Sequence, residues 1–280
     1  HQLWAVGRVA LERVTELPRM KLALGVSRQR ATRDERVEGA PQLSPIPPIE
    51  LSNVQPLRGS QVISALRSRP ISLSLSCGER VAVLGENGAG KSSLLLALAG
   101  LIPINGAARS RADALRWSPQ PPQIFADELA RFVEQLSDPS ARERELAQRF
   151  GLNQDRLKGL IERSPEVTRS VECWDWTRSV SSGELQRIAL CLHFSELHRS
   201  SRDASIGVQL LLLDEPEAHL DQAGLEALLE SLRALPEGVI TLIATHSPAV
   251  SGACDRVISL SSQSEATLEC HEERGERGDL

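Results

Sequence analysis

The sequence predicts an α/β fold, with a parallel-sheet core and a smaller, largely helical subdomain. Three observations carry this. Val81-Ala82-Val83-Leu84 is a continuous apolar run, and Leu210 to Leu213 and Val239 to Ala244 are two more short, largely apolar segments. Such runs are expected of strands buried on both faces of a sheet. Helical patterns separate them, and strands that alternate with helices form a parallel sheet. Finally, residues 127–178 carry charged faces and few β-branched runs, as helices do.

Taken in order, residues 2–17 read as an amphipathic helix, with Leu3, Val6, Val9, Ala10, Val14 and Leu17 near helical spacing. Pro18 ends it. Arg28 to Glu38 is a mixed-charge run that reads as a solvated linker. Pro41, Pro45, Pro47 and Pro48 form a stiff, extended connector, so a boundary is expected near residue 48. Ile71, Leu73 and Leu75 alternate with serines, the pattern of a half-buried strand, and Gly78 marks a turn. Ser92 to Ala99 reads as a buried helix. The expected organisation is an N-terminal helix and linker over 1–48, a main domain over 49–262 whose helical part covers about 126–185, and a polar tail over 263–280.

Composition narrows the function classes. The chain has 280 residues, 41% hydrophobic and 25% charged, with a formal net charge of −5. Those fractions are ordinary for a globular protein. The mildly acidic balance argues against wholesale electrostatic binding of nucleic acid. The longest nearly apolar stretch, Leu94 to Ile104, falls well short of the roughly 20 residues that span a bilayer. The first residues show no secretory pattern. Cys77, Cys173, Cys191, Cys254 and Cys270 are scattered without a CxxC pair and read as reduced thiols. The only methionine is Met20, so the chain is expected to be a piece of a longer protein. There is no tyrosine, and the only lysines are Lys21, Lys91 and Lys158.

Lys91 stands where phosphate chemistry needs it. Gly85-Glu86-Asn87-Gly88-Ala89-Gly90-Lys91-Ser92 fits G-x-x-x-x-G-K-[ST], between a buried strand and a helix. The pattern resembles the phosphate loop of P-loop NTPases, a resemblance that implies a RecA-like core. The glycines let successive backbone N–H groups turn inward towards phosphate oxygens. The helix that begins there, with Ser93 in its first turn, adds its positive end. Lys91 is expected to neutralise β- and γ-phosphate charge, and the Ser92 hydroxyl to ligate Mg²⁺. A second feature faces the same crevice. Leu210 to Leu213 ends in Asp214-Glu215, and strands of such sheets end at the ligand. Asp214 is suited to hold Mg²⁺ and Glu215 to polarise an attacking water.

The remaining motifs resemble those of ATP-binding-cassette (ABC) ATPase domains. Gln120 in Trp117-Ser118-Pro119-Gln120 is similar to the family's Q-loop. Val180-Ser181-Ser182-Gly183-Glu184 resembles its signature, usually L-S-G-G-Q. Ala218-His219-Leu220-Asp221 resembles the D-loop, and Thr245-His246 the switch histidine. Six motifs occur in family order, over roughly Ile49 to Leu260. The resemblance implies two such domains paired head to tail with ATP and Mg²⁺ between them. Each site would take Lys91, Ser92, Gln120, Asp214, Glu215 and His246 from one domain. Ser181 and Gly183 would come from the partner, and Asp221 would lie at the shared nucleotide. Gln120 would also approach the Mg²⁺.

Within the family, Gln120-Pro121-Pro122-Gln123-Ile124-Phe125 is similar to the Q-x-P-x-[IL]-F segment of exporter-type domains. Arg8 to Val14 resembles the exit from an exporter's last membrane helix, and Ile49 to Val54 the opening of its ATPase domain. The heterodimeric thiol exporters of cytochrome bd assembly are one candidate branch. The resemblance thus implies a transmembrane partner domain, a second ATPase domain and a place on the cytoplasmic face of a membrane, bacterial inner membranes first. A soluble relative acting on nucleic acid is the competing class. Those relatives usually carry long coiled-coil insertions, whereas about 60 residues separate Gln120 from Ser181, with no sustained heptads. A weakly active regulatory subunit is a third class.

Some positions depart from the pattern. Ser182 and Glu184 stand where the family has glycine and glutamine. Crowding and added negative charge are expected to weaken the site donated to the partner, which suggests an asymmetric heterodimer. No aromatic residue lies just upstream of Gly85 to stack on adenine. Leu57 or Arg58 falls near that place, and weak base selectivity is expected. The Lys91-to-Gln120 spacing is short, and Glu196 to Gly207 reads as a loop insertion. Trp174 and Trp176 read as packing or as a coupling surface.

Overall fold

The computed structural model describes residues 47–63, 66, 70–138, 142–163, 180–202 and 206–260. The N-terminal helix expected over 2–17, the tail, Cys173, Trp174 and Trp176 lie outside the described residues.

The central sheet is parallel and five-stranded. Its strands are β4 (Arg80–Leu84), β6 (Ala114–Ser118), β7 (Gln209–Asp214), β8 (Val239–Ala244) and β9 (Arg256–Ser259), in the order β6-β7-β8-β4-β9. The three apolar runs read from the sequence are its three inner strands. Every residue of β7 and β8 is buried, as expected where both faces are covered.

A second sheet is antiparallel. Here β1 (Ile49–Arg58) pairs with β3 (Ile71–Leu75) on one side and β5 (Ile104–Ser110) on the other, and β2 (Gln61–Val62) pairs with its end. The alternation of Ile71, Leu73 and Leu75 with serine gives β3 one buried face. The β5 strand was not anticipated. Its sequence, Ile-Asn-Gly-Ala-Ala-Arg-Ser, has little β-branched content, and its pairing with β1 makes it a strand. Arg58 is exposed at the β1–β2 hairpin, opposite Gln61.

Helices follow the strands. α1 spans Lys91–Leu98, α2 Ala126–Gln135, α3 Arg142–Arg149, α4 Gln154–Arg163, α5 Ser182–Ser200, α6 Gln222–Arg233 and α7 Pro248–Ser251. α2, α3 and α4 pack against α5 through Phe132, Leu136, Leu146, Phe150, Leu157, Leu160 and Phe194. The supposed insertion at Glu196 to Gly207 is corrected in part, because Glu196 to Ser200 is the last turn of α5. Arg116 on β6 ties that turn to the sheet through Glu196 at 2.7 Å.

The period-two alternation of strands divides the core in two. Leu211 and Leu213 of β7 face the cluster built by α2 to α6. Leu210 and Leu212 face the opposite cluster, with Leu94, Leu95, Val81, Val83 and the antiparallel sheet. The sheet is therefore clamped on both sides, which fixes where its strand ends lie.

Candidate active site

Parallel register brings four strand ends to one rim. Val83 lies opposite Ala244, Asp214 opposite Ala244, and Ser118 opposite Leu213. The residues that follow these ends are the phosphate loop, His246, Glu215 and Gln120. The crevice beyond such carboxyl ends is the ligand position of open α/β sheets.

The loop between β4 and α1 is shaped by its glycines. Gly85, Gly88 and Gly90 have φ of 156°, 82° and 98°. A Cβ on Gly85 would sit 2.6 Å from the Leu260 carbonyl oxygen, and one on Gly90 would sit 2.7 Å from Leu66 Cδ1. Glu86, Asn87 and Gly88 are exposed and Ala89 half-buried. Gly90 caps α1 without a side chain, so the first N–H groups of that helix are left for a ligand. Ser93 is half-buried in its first turn.

The Lys91 ammonium is buried and donates to Gly85 O at 2.8 Å and Glu86 O at 3.2 Å. It also lies 2.8 Å from His246 Nε2. Ser92 Oγ donates to Asp214 Oδ1 at 3.1 Å. His246 Nε2 stands 3.5 Å from Glu215 Oε1. Five of the sequence-selected residues thus form one connected group.

Burial pushes the Asp214 carboxyl above its ordinary value. The Ser92 hydroxyl and the Lys91 charge oppose this, and the nearby Glu215 and Glu217 charges reinforce it. Glu215 adopts a left-handed backbone with φ 47°, its N–H held by Ala244 O at 2.8 Å. Non-glycine residues of this kind are uncommon and gather at functional sites.

The donor set fits a magnesium ion carried with a nucleotide. Ser92 and Asp214 present hard oxygens in hydrogen-bond contact. Magnesium takes one or two protein oxygens and completes its shell with phosphate and water. Among the described residues no group of three or more His, Cys, Asp or Glu is placed to cage a metal alone. Gln120 is exposed just past β6, beside the Asp214 strand.

Ser181, Gly183 and Asp221 lie in a second group, at the start of α5. Ser181 caps that helix, accepting from Glu184 N at 3.2 Å. A Cβ on Gly183 would come 2.6 Å from His219 O, and His219 itself has φ 63°. Gln186 Nε2 donates to Pro216 O at 3.0 Å, and Arg187 pairs with Asp221 Oδ2 at 2.5 Å. Asp221 also caps α6, accepting from Gly224 N at 2.8 Å. That bond and Arg187 hold its carboxyl below the usual range. Within this chain, then, Asp221 joins α5 to α6.

Glu184 requires a correction. Its carboxylate is not a free negative charge at the helix start. Arg156 of α4 grips it with two bonds, of 2.6 and 2.8 Å. The sequence also gave no reason to single out Glu217, Gln186, Arg187 or Arg156. Only the third acid in Asp214-Glu215-Pro216-Glu217 was a visible hint.

The profile of the ABC transporter family matches residues 68–218, just over half of the chain. This chain belongs to the ABC transporter family. It is the ATP-binding domain, since the matched span holds the phosphate loop, the signature and the carboxylate pair. Similar proteins include the hemin import ATP-binding protein HmuV of Burkholderia thailandensis, 35% identical over 217 residues, covering 69% of this chain and 78% of that protein. The glutathione/L-cysteine transport system ATP-binding/permease protein CydD of Escherichia coli is 31% identical over 189 residues, covering 63% of this chain. The transport ATP-binding protein AarD of Providencia stuartii is 28% identical over 189 residues. The chain spans 30% of the length of CydD and of AarD. A solved ATP-binding subunit of an ABC transporter superposes with a TM-score of 0.48 at 22% identity, over 76% of this chain and 86% of that one. No helix among the described residues is long and apolar enough to cross a membrane. As an ABC transporter ATPase domain the chain binds ATP, and domains of this family dimerise and work with a transmembrane domain.

Proposed function

We propose that this domain hydrolyses Mg-ATP in a head-to-tail dimer and so drives a transmembrane partner of the exporter type. The observation that carries the reading is the convergence of Lys91, Ser92, Asp214, Glu215 and His246 on one rim, joined by contacts of 2.8 to 3.5 Å. Lys91 exchanges its carbonyl and imidazole partners for phosphate oxygens. Ser92 and Asp214 would hold magnesium, which would supply charge neutralisation to the nucleotide's phosphates. Glu215 orients the attacking water and accepts its proton, while His246 donates towards the γ-phosphate. Gln120 extends the site towards the metal and the membrane partner. The start of α5, with Ser181 and Gly183, is presented to the γ-phosphate of a second domain, where free N–H groups favour an anion. Closure excludes water and adds donors, and loss of the γ-phosphate reopens the pair.

The exporter reading rests on Gln120 to Phe125 and on the likeness to CydD, which is named as an ATP-binding/permease protein. The likeness to HmuV favours a second reading, an import ATPase made as a separate subunit. The gene sequence upstream of His1 separates them: several hydrophobic spans support the exporter and their absence supports the importer. Ser182 in place of glycine supports a heterodimer with unequal sites, and the substrate lies with the membrane partner. A nucleic-acid role is disfavoured because α2, α3 and α4 are only 10, 8 and 10 residues long. Phosphate release with and without chelation of magnesium tests the proposal. Magnesium-dependent release that Glu215→Gln abolishes supports it, and release insensitive to both refutes it.

A further inference from the structure

Glu217 lies beside the site and has no role in it so far. It is half-buried in the turn after β7. Its Oε1 accepts from the Thr245 hydroxyl and from the His246 N–H, the latter at 3.2 Å. Thr245 is fully buried, and its Oγ1 in turn accepts from Ser247 N at 2.9 Å. One carboxylate oxygen therefore fixes three consecutive residues at the end of β8, with His246 in the middle.

The imidazole needs that support. Its side chain is 45% exposed, so packing alone does not hold it. The direction in which it leaves the backbone decides whether Nε2 reaches Lys91 and Glu215. A carboxylate here also costs stability. Glu217 Oε2 is buried without a partner among the described residues, and its charge adds to the burden on Asp214. A buried acceptor left without a donor destabilises the folded chain. Local rules broken without local gain point to function.

We propose that Glu217 is a positioning residue for His246, fixing the Thr245–Ser247 main chain so that the imidazole stands over the phosphate site. The inference rests on the reading that His246 serves hydrolysis. The test is single-turnover hydrolysis and Mg-ATP affinity in Glu217→Ala, Glu217→Gln, Thr245→Val, His246→Ala and the Glu217→Ala/His246→Ala double variant. Glu217→Ala is expected to slow hydrolysis about tenfold or more with affinity changed less than about twofold, as for a contact that matters only in the transition state. Glu217→Gln keeps most of the rate, because its amide oxygen still accepts both bonds. Thr245→Val, which removes one donor and keeps the shape, loses rate with the same split. In the His246→Ala background Glu217→Ala adds nothing. An unchanged rate in Glu217→Ala overturns the proposal, as does a loss that adds fully to that of His246→Ala, or an equal loss of affinity. If His246→Ala itself hydrolyses at the full rate, the reading of the site falls and this inference falls with it.

Discussion

Lys91 Nζ lies 2.8 Å from His246 Nε2, so the two groups expected to share a γ-phosphate hold each other instead. An ammonium has three donors, and Gly85 O, Glu86 O and His246 use all three. Any phosphate that reaches Lys91 must displace one of these partners. His246→Ala removes one competitor. ADP, which has no γ-phosphate for the histidine to contact, is expected to bind about two- to tenfold more tightly to that variant, as one modest hydrogen bond would give. Titration calorimetry with ADP checks this, and a weaker ADP complex contradicts it.

Asp214 carries opposite consequences for stability and for function. Its carboxyl is raised by burial, so the folded chain holds the proton more tightly than the unfolded chain does. Stability from this group is present at low pH and is lost as pH rises through the folded value. At neutral pH the ionised group is a cost. Asp214→Asn is therefore expected to raise the unfolding midpoint without magnesium, by roughly 2–4 °C for each kcal/mol relieved. The same change removes the metal's carboxylate and should weaken Mg-ATP binding tenfold or more, on the order of the loss of a charged ligand. In the unsubstituted chain, acidification should weaken magnesium-dependent binding from a pH above the ordinary carboxylate range. Scanning calorimetry and nucleotide titration at several pH values check both signs.

Gly183 and Ser182 are neighbours with different constraints. A side chain at 183 meets the backbone carbonyl of His219, which cannot rotate away. Gly183→Ala is expected to destabilise the chain by about 1–3 kcal/mol through overpacking. Ser182 is exposed, and Ser182→Gly should leave stability within about 1 kcal/mol, the helix cost of glycine. Denaturant unfolding of the two variants decides it. Equal midpoints would contradict the packing argument.

Glu184 is bound by Arg156, so the substituted signature position carries a paired charge. Arg156→Ala leaves a carboxylate uncompensated at the start of α5, where an anion is to be received. Assembled with its partner domain, the variant is expected to lose turnover several-fold. A second change, Glu184→Gln, restores it. The pair is too exposed for its loss to unfold the helix. A turnover defect that persists in the double variant would show that Arg156 acts otherwise.

Much of the central sheet was legible, because strands buried on both faces must be continuous apolar runs. Leu210 to Leu213 is such a run, and Val239 to Ala244 is one apart from the buried Thr241. The edge strand β6 was hidden, since Arg116 and Trp117 on it are only half-buried and break the pattern. β5 was hidden because tertiary pairing, not propensity, makes it a strand. The phosphate loop and the carboxylate pair were readable for a chemical reason: each requires particular residue types at fixed spacing. Arg156 and Glu217 were not readable. Their partners lie 28 residues away, for both the Arg156–Glu184 and the Thr245–Glu217 bonds, and nothing in local pattern announces such contacts.

The direct test of the account is Mg-ATP binding to Lys91→Ala. The buried Lys91 ammonium is predicted to supply the charge that holds the triphosphate. Calorimetric titration should show micromolar-range binding, about −8 kcal/mol, reduced a hundredfold or more by the substitution, with hydrolysis lost as well. Affinity and turnover equal to those of the unsubstituted chain would contradict the account.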